Sequence, residues 1–226
     1  VAITFVSWLW GDKYPLETVE KLVSGLRRNM RQKFRFLLVT DQDVKATERY
    51  DVAAIEDSGL IGKGCFCRLR MFDPDWQLKN KIDDRMVGID LDMVITNTCD
   101  SIFDRTESFV ILRGVNAVNP NPFNCSIFML RQGSHPEVWS EFSLDKADKI
   151  TYHEFPDDQG WVWHMMPEAA TWQGGSKSGI YAFQKPGWPY HLYHSLPINC
   201  RMVAFVGARK PDKYADVAWM KQHWKI

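Results

Sequence analysis

The sequence predicts an α/β fold with a mixed central sheet flanked by helices on both faces. Three observations predict it. A β-branched and aromatic run at 2–8 gives way to an apolar helical repeat and then to a second apolar run, FRFLLVT, at 34–40; this is the β-α-β unit that builds a parallel sheet. Strand-like and helix-like segments alternate through the first half, and the second half is more mixed. The chain has 226 residues, enough to bury a sizeable core and consistent with one domain over 1–226 at about 100–200 residues per domain.

The elements follow in order. The opening VAITFVSWLW lacks a charged leader and a small-residue cleavage site, so it reads as a first strand rather than a signal peptide. Gly11 and Asp12 open a loop. A helix starts at about Pro15, a favoured first helical residue, because Leu16, Val19, Leu22, Val23, Leu26 and Met30 recur at helical spacing. FRFLLVT is the second strand and ends at a Thr-Asp turn. After an irregular stretch through Gly59, Gly62 and Gly64, CFCRLRMF reads as a short helix stopped by Asp73 and Pro74. GIDLDMVIT, residues 88–96, reads as one buried strand. More strands are expected at 109–113, 124–130, 180–184 and 202–206. Helices are expected after Ser134, with Pro136 at the start, and from Asp157 to Met166, stopped by Pro167. The stretch 211–226 is charged and Trp-bearing, either a packed tail or part of an acceptor surface.

The totals exclude several classes. With 28 basic and 28 acidic residues and a pI near 7.1, no broad nucleic-acid or anionic-membrane surface is expected, and any polyanion must be small and held locally. No stretch approaches the ~20 apolar residues of a transmembrane span. Five cysteines are an odd number, and Cys65 and Cys67 have no second pair to close a zinc site. They read as reduced, packed thiols of a cytoplasmic protein. Of ten tryptophans, Trp8, Trp10, Trp161, Trp163 and Trp188 sit near turn-like or polar residues, where a flat face can stack on a base or a sugar as well as pack in a core.

The acids in GIDLDMVIT need an explanation. Strand alternation puts Asp90 and Asp92 on one face and Ile89, Leu91 and Met93 on the other. Ionised carboxylates taken out of water are costly unless paired or bound to metal. Ligands of open α/β sheets bind beyond the carboxyl ends of the strands, and hard carboxylate oxygens suit Mg²⁺ or Mn²⁺, which keep positions open for phosphate oxygens. The pair therefore suggests a metal and diphosphate site, with a solvated strand end as the alternative. Two further Asp-x-Asp copies, at 41–43 and 73–75, look like turns.

CRLRMF followed by DRMVGIDLDMVIT resembles the R-L segment, apolar strand and D-x-D motif of nucleotide-sugar glycosyltransferases of the GT-A fold. FNCSIFML resembles their F-N-x-[GS]-[VI]-x-L strand, DDQGWV their Asp-Gln motif at a helix start, and FVGARKP their G-x-x-K-P ending. Order and approximate spacing are similar to family 8 transferases and a related group of small bacterial transferases, from the first strand to about residue 211.

The resemblance implies a Rossmann-like GT-A domain and a set of roles. Asp92 would bind Mn²⁺ or Mg²⁺ directly, and Asp90 the metal or the ribose. Arg68 would lie near the donor sugar or diphosphate, and Lys210, with Arg209 beside it, would clamp the diphosphate. Asn124 and Ser126 would contact sugar hydroxyls. Asp158 and Gln159 would sit beneath the donor sugar, Asp158 touching the reacting face. Phe5 to Trp10, with Val6 and Trp8, would bound the nucleotide base. Local readings stand beside these: Arg68 and Arg70 as surface charges, Asp157 or Asp158 as a helix N-cap, Asn124 as a turn residue after NPNP, and Lys210 as a loop cation. One departure concerns the metal. The family pattern places a His one to three residues before the glycine of G-x-x-K-P, whereas Ala204, Phe205 and Val206 precede Gly207. Water would complete the shell, or His191 or His194 reach in, or catalysis lean on Arg209 and Lys210.

The expectation is a cytoplasmic, metal-dependent hexosyltransferase, retaining by family resemblance. It would take a nucleoside diphosphate sugar, with UDP as the carrier, and a glycan, lipid or small-molecule acceptor. Two alternatives remain open: an inactive nucleotide-sugar binding protein and a sugar-1-phosphate nucleotidyltransferase. The latter should carry a Gly-rich, Arg-bearing phosphate loop after the first strand, which SWLWGDKY lacks.

Overall fold

β1 (Ile3–Leu9) and β2 (Phe34–Thr40) lie side by side and parallel, joined by α1 (Leu16–Asn29), as the repeat of apolar residues requires. The computed structural model describes residues 3–115, 119–150, 156–189 and 194–226. α1 buries a stripe of Val19, Leu22, Val23 and Leu26; Glu17 in its first turn and Arg27 and Arg28 in its last complement the helix dipole. Pro15 is the N-cap rather than the first helical residue.

Along the chain follow β3 (Asp51–Ala54), α2 (Pro74–Lys79), β4 (Arg85–Ile89), β5 (Met93–Ile95), β6 (Phe109–Arg113) and β7 (Phe123–Arg131). The second half adds α3 (Glu137–Ser140), α4 (Leu144–Ala147), α5 (Asp158–Met165), β8 (Ala170–Trp172), β9 (Ile180–Ala182), β10 (Met202–Ala204) and α6 (Ala218–His223). The main sheet has seven strands in the order β3-β2-β1-β4-β7-β6-β8. β3, β2, β1 and β4 are parallel; β7 runs antiparallel between β4 and β6, and β8 is parallel to β6. A smaller sheet, β5-β10-β9, lies apart from it.

Alternation along β1 divides the interior. Ile3, Phe5 and Leu9 join a core with α1, the small sheet and the C-terminal Trp219, Met220 and Trp224. Val6 and Trp8 join a second core under the 3₁₀ helix Phe66–Phe72, α3 and α5. Helices therefore cover both faces, as an α/β sandwich needs. The 211–226 stretch packs onto the body, and Trp224 Nε1 donates to Asp212 Oδ1 at 3.0 Å.

Several local expectations are corrected. GIDLDMVIT is two strands in two sheets: Asp90 N donates the last rung to Ser126 O at 2.9 Å, and the chain turns with Met93 N donating to Asp90 O at 3.2 Å. Leaving the sheet lets the acids meet partners and a cleft that a ladder would deny them. CFCRLRMF is helical but 3₁₀, and Pro74 starts a helix as well as ending one, because Asp73 Oδ1 accepts from Asp75 N at 3.0 Å. The helix after Ser134 is a single turn, with Pro136 at its N-cap. All five cysteines are free. Among the described residues no helix is long and apolar enough to cross a membrane.

Candidate active site

The turn Asp90-Leu91-Asp92 lies past the carboxyl end of β4, the strand beside β1 at the centre of the sheet. It opens on a cleft of about 840 Å³ walled by the β1 exit (Trp8, Trp10), the loop 13–14, the loop 62–65, the start of β7 and the start of α5. Phe205, Val206, Gly207 and Lys210 close the far side.

Each acid of the turn already meets a cation. Asp92 is 5 % exposed, and its Oδ2 accepts from Lys210 Nζ at 2.6 Å and from the Tyr14 hydroxyl at 2.6 Å. Lys210 Nζ also lies over the Tyr14 ring, 5.4 Å from its centroid. Burial and then the neighbouring Asp90 push the Asp92 carboxyl up, while Lys210 and Tyr14 oppose the shift. The Tyr14 phenol is pushed up strongly by burial and by Asp92, so it remains a donor. Asp90 Oδ1 receives Arg68 Nη1 in a short ion pair.

Arg68 ties the turn to α5. Its Nε donates to Asp158 Oδ2 at 2.8 Å, its Nη2 meets the same oxygen at 2.6 Å, and its Nη1 also donates to Cys125 O at 3.2 Å. It is no surface charge. Of the paired acids in DDQ, Asp157 is the N-cap: its Oδ1 accepts from Gly160 N at 2.8 Å. Asp158 is the first helical residue, turned inward and buried; its backbone N donates to Gly64 O at 2.8 Å. Burial pushes its carboxyl up to about 7 even though the Arg68 guanidinium opposes it, with Asp157 and Asp90 adding to the rise. Gly64, at φ +51, allows this approach, since a Cβ there would lie 2.5 Å from Pro156 O.

The remaining expected residues divide. Asn124, Ser126, Gln159 and Trp8 line the cleft with Asp90, Asp92, Arg68, Asp158 and Lys210. Asn124 Oδ1 accepts from Ser126 N at 3.0 Å, and Gln159 donates to Asp157 Oδ2 at 2.8 Å while accepting from Cys125 N at 3.4 Å. Val6 does not line the cleft; it is fully buried in the core beneath Trp8. Arg209 does not line it either, because its Nε donates to Gln184 Oε1 at 3.1 Å. Of the histidines named as substitute ligands, His191 lies outside the described residues, and His194 is exposed and away from the cleft wall. Trp161 and Trp188 are core residues. Sequence reasoning missed Tyr14, Lys13 and Lys63. The first two follow Gly11-Asp12 in a loop without periodicity, and only the Gly62-Lys63-Gly64 punctuation hinted at the third.

Among the described residues no three His, Cys, Asp or Glu side chains gather into a complete protein cage for a metal. A smaller donor set is present. Asp90 and Asp92 each have one oxygen engaged, at Asp90 Oδ1 and Asp92 Oδ2, and one without a partner among the described residues. Two hard oxygens at a cleft fit Mg²⁺ or Mn²⁺, ions held by one or two carboxylates with water and phosphate completing the shell.

This chain's fold, a mixed seven-stranded sheet between helical layers, is similar to that of a solved glycosyltransferase. The chain is similar to GlyE of Streptococcus pneumoniae TIGR4, with a TM-score of 0.62 at 14% identity over 93% of this chain. It spans 56% of the length of that structure. No protein-family model matches the sequence, and no curated protein matches it.

Proposed function

We propose that this chain is a metal-dependent GT-A glycosyltransferase, related to family 8, that moves a hexose from a nucleoside diphosphate sugar to a hydroxyl-bearing acceptor. The observation that carries this reading is the Asp90-Leu91-Asp92 turn, held in the cleft mouth by Lys210, Tyr14 and Arg68. Breaking the anomeric bond leaves growing negative charge on the departing diphosphate, and fixed cations beside it lower the barrier. Lys210 is suited to this because one ammonium can exchange Asp92 for a phosphate oxygen without leaving the site. Asp90 Oδ2 and Asp92 Oδ1 would hold Mn²⁺ or Mg²⁺, which supplies Lewis-acid charge compensation when bound.

The other walls support the same reading. Trp8, backed by Trp76 in a stack at 5.9 Å between ring centroids, lines the cleft beside Trp10, and aromatic edges and faces there suit a nucleotide base. UDP is the expected carrier. Arg68 holds Asp158 near the floor, where its raised carboxyl can carry a proton at neutral pH. An inverting route would need a general base near the acceptor, for which Asp157 or Asp158 could serve; Asp157 already accepts from Gly160 N at the helix cap and from Gln159, which favours the retaining reading. Retention follows the family resemblance, and the anomer of a fresh product, read by proton NMR, checks it.

Calorimetry with UDP and Mn²⁺, followed by a donor hydrolysis assay, tests the reading. Metal-dependent UDP binding with slow sugar release is expected. Binding without hydrolysis would mark a nucleotide-sugar binding protein, and pyrophosphate release from a nucleoside triphosphate and a sugar phosphate would mark a nucleotidyltransferase.

A further inference from the structure

A second cleft, of about 400 Å³, shares no lining residue with the first. It lies between the segment Ser101–Arg105, the end of β8 with the loop that follows it, and the approach to β10. Arg105, Lys177 and Arg201 line it, together with Ser101, Thr171, Gln173, Ser176, Ser178 and Asn199, and no carboxylate stands among its described lining residues. A cleft walled by cations, hydroxyls and amides is complementary to an anion that carries hydroxyl groups.

Its three cations are not equivalent. Arg105 is already committed: its Nε donates to Glu107 Oε2 at 3.1 Å, with a second, short contact from Nη2 to Oε1. This bonding holds the Glu107 carboxyl down at about 2. Arg201 is only half-buried, and its guanidinium meets the Ser101 hydroxyl through Nη1 and no carboxylate among the described residues. Lys177 is exposed and has no ion-pair partner among the described residues. The donor cleft's Arg68, by contrast, has its charge met twice, by Asp158 and Asp90.

The cleft is also fixed in shape. Gly179, at φ +78, leaves bare backbone for the Arg201 stem: a Cβ there would stand 3.0 Å from Arg201 Cγ and 3.1 Å from Cδ. Asn199 is pinned from two sides, accepting from the Tyr181 hydroxyl at 2.6 Å and donating to Ser176 O at 2.6 Å. Ser178 donates to Gln173 O at 2.5 Å and accepts from Ile180 N at 3.2 Å. Polar groups held by the fold lose little entropy on meeting a ligand.

We propose that this cleft binds the phosphate monoester of a sugar or related polyol, with Arg201 and Lys177 on the phosphate and the seryl and amide groups around the hydroxyls. The site is independent of the donor cleft, so its failure would not touch the transferase reading, nor the reverse.

The test titrates glucose 6-phosphate, inorganic phosphate and glucose separately into the full chain, read by calorimetry and by amide shifts in ¹⁵N spectra. Glucose 6-phosphate is expected to bind at least about tenfold more tightly than glucose, to shift the Gly179 and Ser178 amides, and to weaken with salt. Arg201→Gln and Lys177→Glu should each weaken it by about tenfold while UDP binding stays unchanged. Lys177 is solvent-exposed, so its variant keeps the test valid if Arg201→Gln disturbs the loop. Co-flotation with phosphatidylcholine vesicles carrying phosphatidylinositol 4-phosphate, lost in Lys177→Glu, would assign the monoester to a lipid headgroup; glucose 6-phosphate binding without co-flotation would assign it to a soluble sugar. No binding by the wild type, equal binding by both variants, or displacement of glucose 6-phosphate by UDP would overturn the proposal.

Discussion

The two sides of the large cleft are built differently. On the α5 side, Asp157 is consumed by the helix cap and Gln159, and Asp158 is locked to Arg68, with side-chain exposures of 4% for Asp158 and 12% for Arg68. On the turn side, Asp90 keeps 31% of its side chain exposed and Lys210 keeps 23%, while Asp92 is buried, with 8% of its side chain exposed, and each acid retains an oxygen without a partner among the described residues. One side is closed on itself and the other can exchange partners. The contrast teaches that acids close in space can differ in what they leave available: the α5 acids are engaged within the wall, and the turn acids keep the free oxygens that the proposed ligand would meet. It also fixes what mutations should do, since turn-side changes should cost turnover and α5-side changes should cost the fold.

The largest effect is expected from Asp92→Asn or Asp90→Asn. Loss of metal charge compensation is worth several kcal/mol, so donor hydrolysis should fall on the order of 100-fold or more while the urea midpoint stays near the wild type. Unchanged turnover would erase the distinction. Next comes Arg68→Ala, which strands Asp158 and Asp90 and should cost about 3 kcal/mol in urea unfolding. Lys210→Ala leaves Asp92 its Tyr14 hydrogen bond and should instead raise the UDP dissociation constant while costing less stability than Arg68→Ala. If the two variants behaved alike, the sides would not differ as described.

A pH measurement sharpens the contrast. The Asp158 carboxyl is raised in the folded chain from its ordinary 3.8 to about 7. Between those values the folded state holds a proton that the unfolded state has released, so this group's contribution to stability falls as pH rises from about 4 to about 7. Asp158→Asn should flatten that slope in urea midpoints taken across the range; an unchanged slope would place its origin elsewhere. The smallest effect belongs to Asp157→Ala, which removes the α5 cap and should lower stability by about 1 kcal/mol. A change under a few tenths would mean that the cap is replaced by water.

What the sequence made legible follows from range. The β1-α1-β2 start was readable because its apolar residues keep a period, and the Asp90 and Asp92 pair because two acids interrupt an apolar run. The turn between β4 and β5 was not, since nothing in GIDLDMVIT marks the change of sheet. β3 and β8, four and three residues long, are too short to show alternation. Arg68 and Asp158 were each named, but their pairing spans 90 positions and no local pattern encodes it. Whether Asp157 or Asp158 caps the helix is decided by the bond from Asp158 N to Gly64 O, a tertiary fact. The family resemblance implies ligand roles for Val6 and Arg209, but Val6 packs in the core and Arg209 turns to Gln184, so neither lines the cleft. Tyr14 lay in a loop with no periodicity to draw attention to it.

The most direct measurement of the central claim is paramagnetic broadening by Mn²⁺ with UDP in ¹⁵N spectra of the full chain. Broadening should be strongest at the Leu91 and Asp92 amides, extend to Ser126, and disappear in the Asp90→Asn, Asp92→Asn double variant. Broadening centred elsewhere, or unchanged in that variant, would contradict the account.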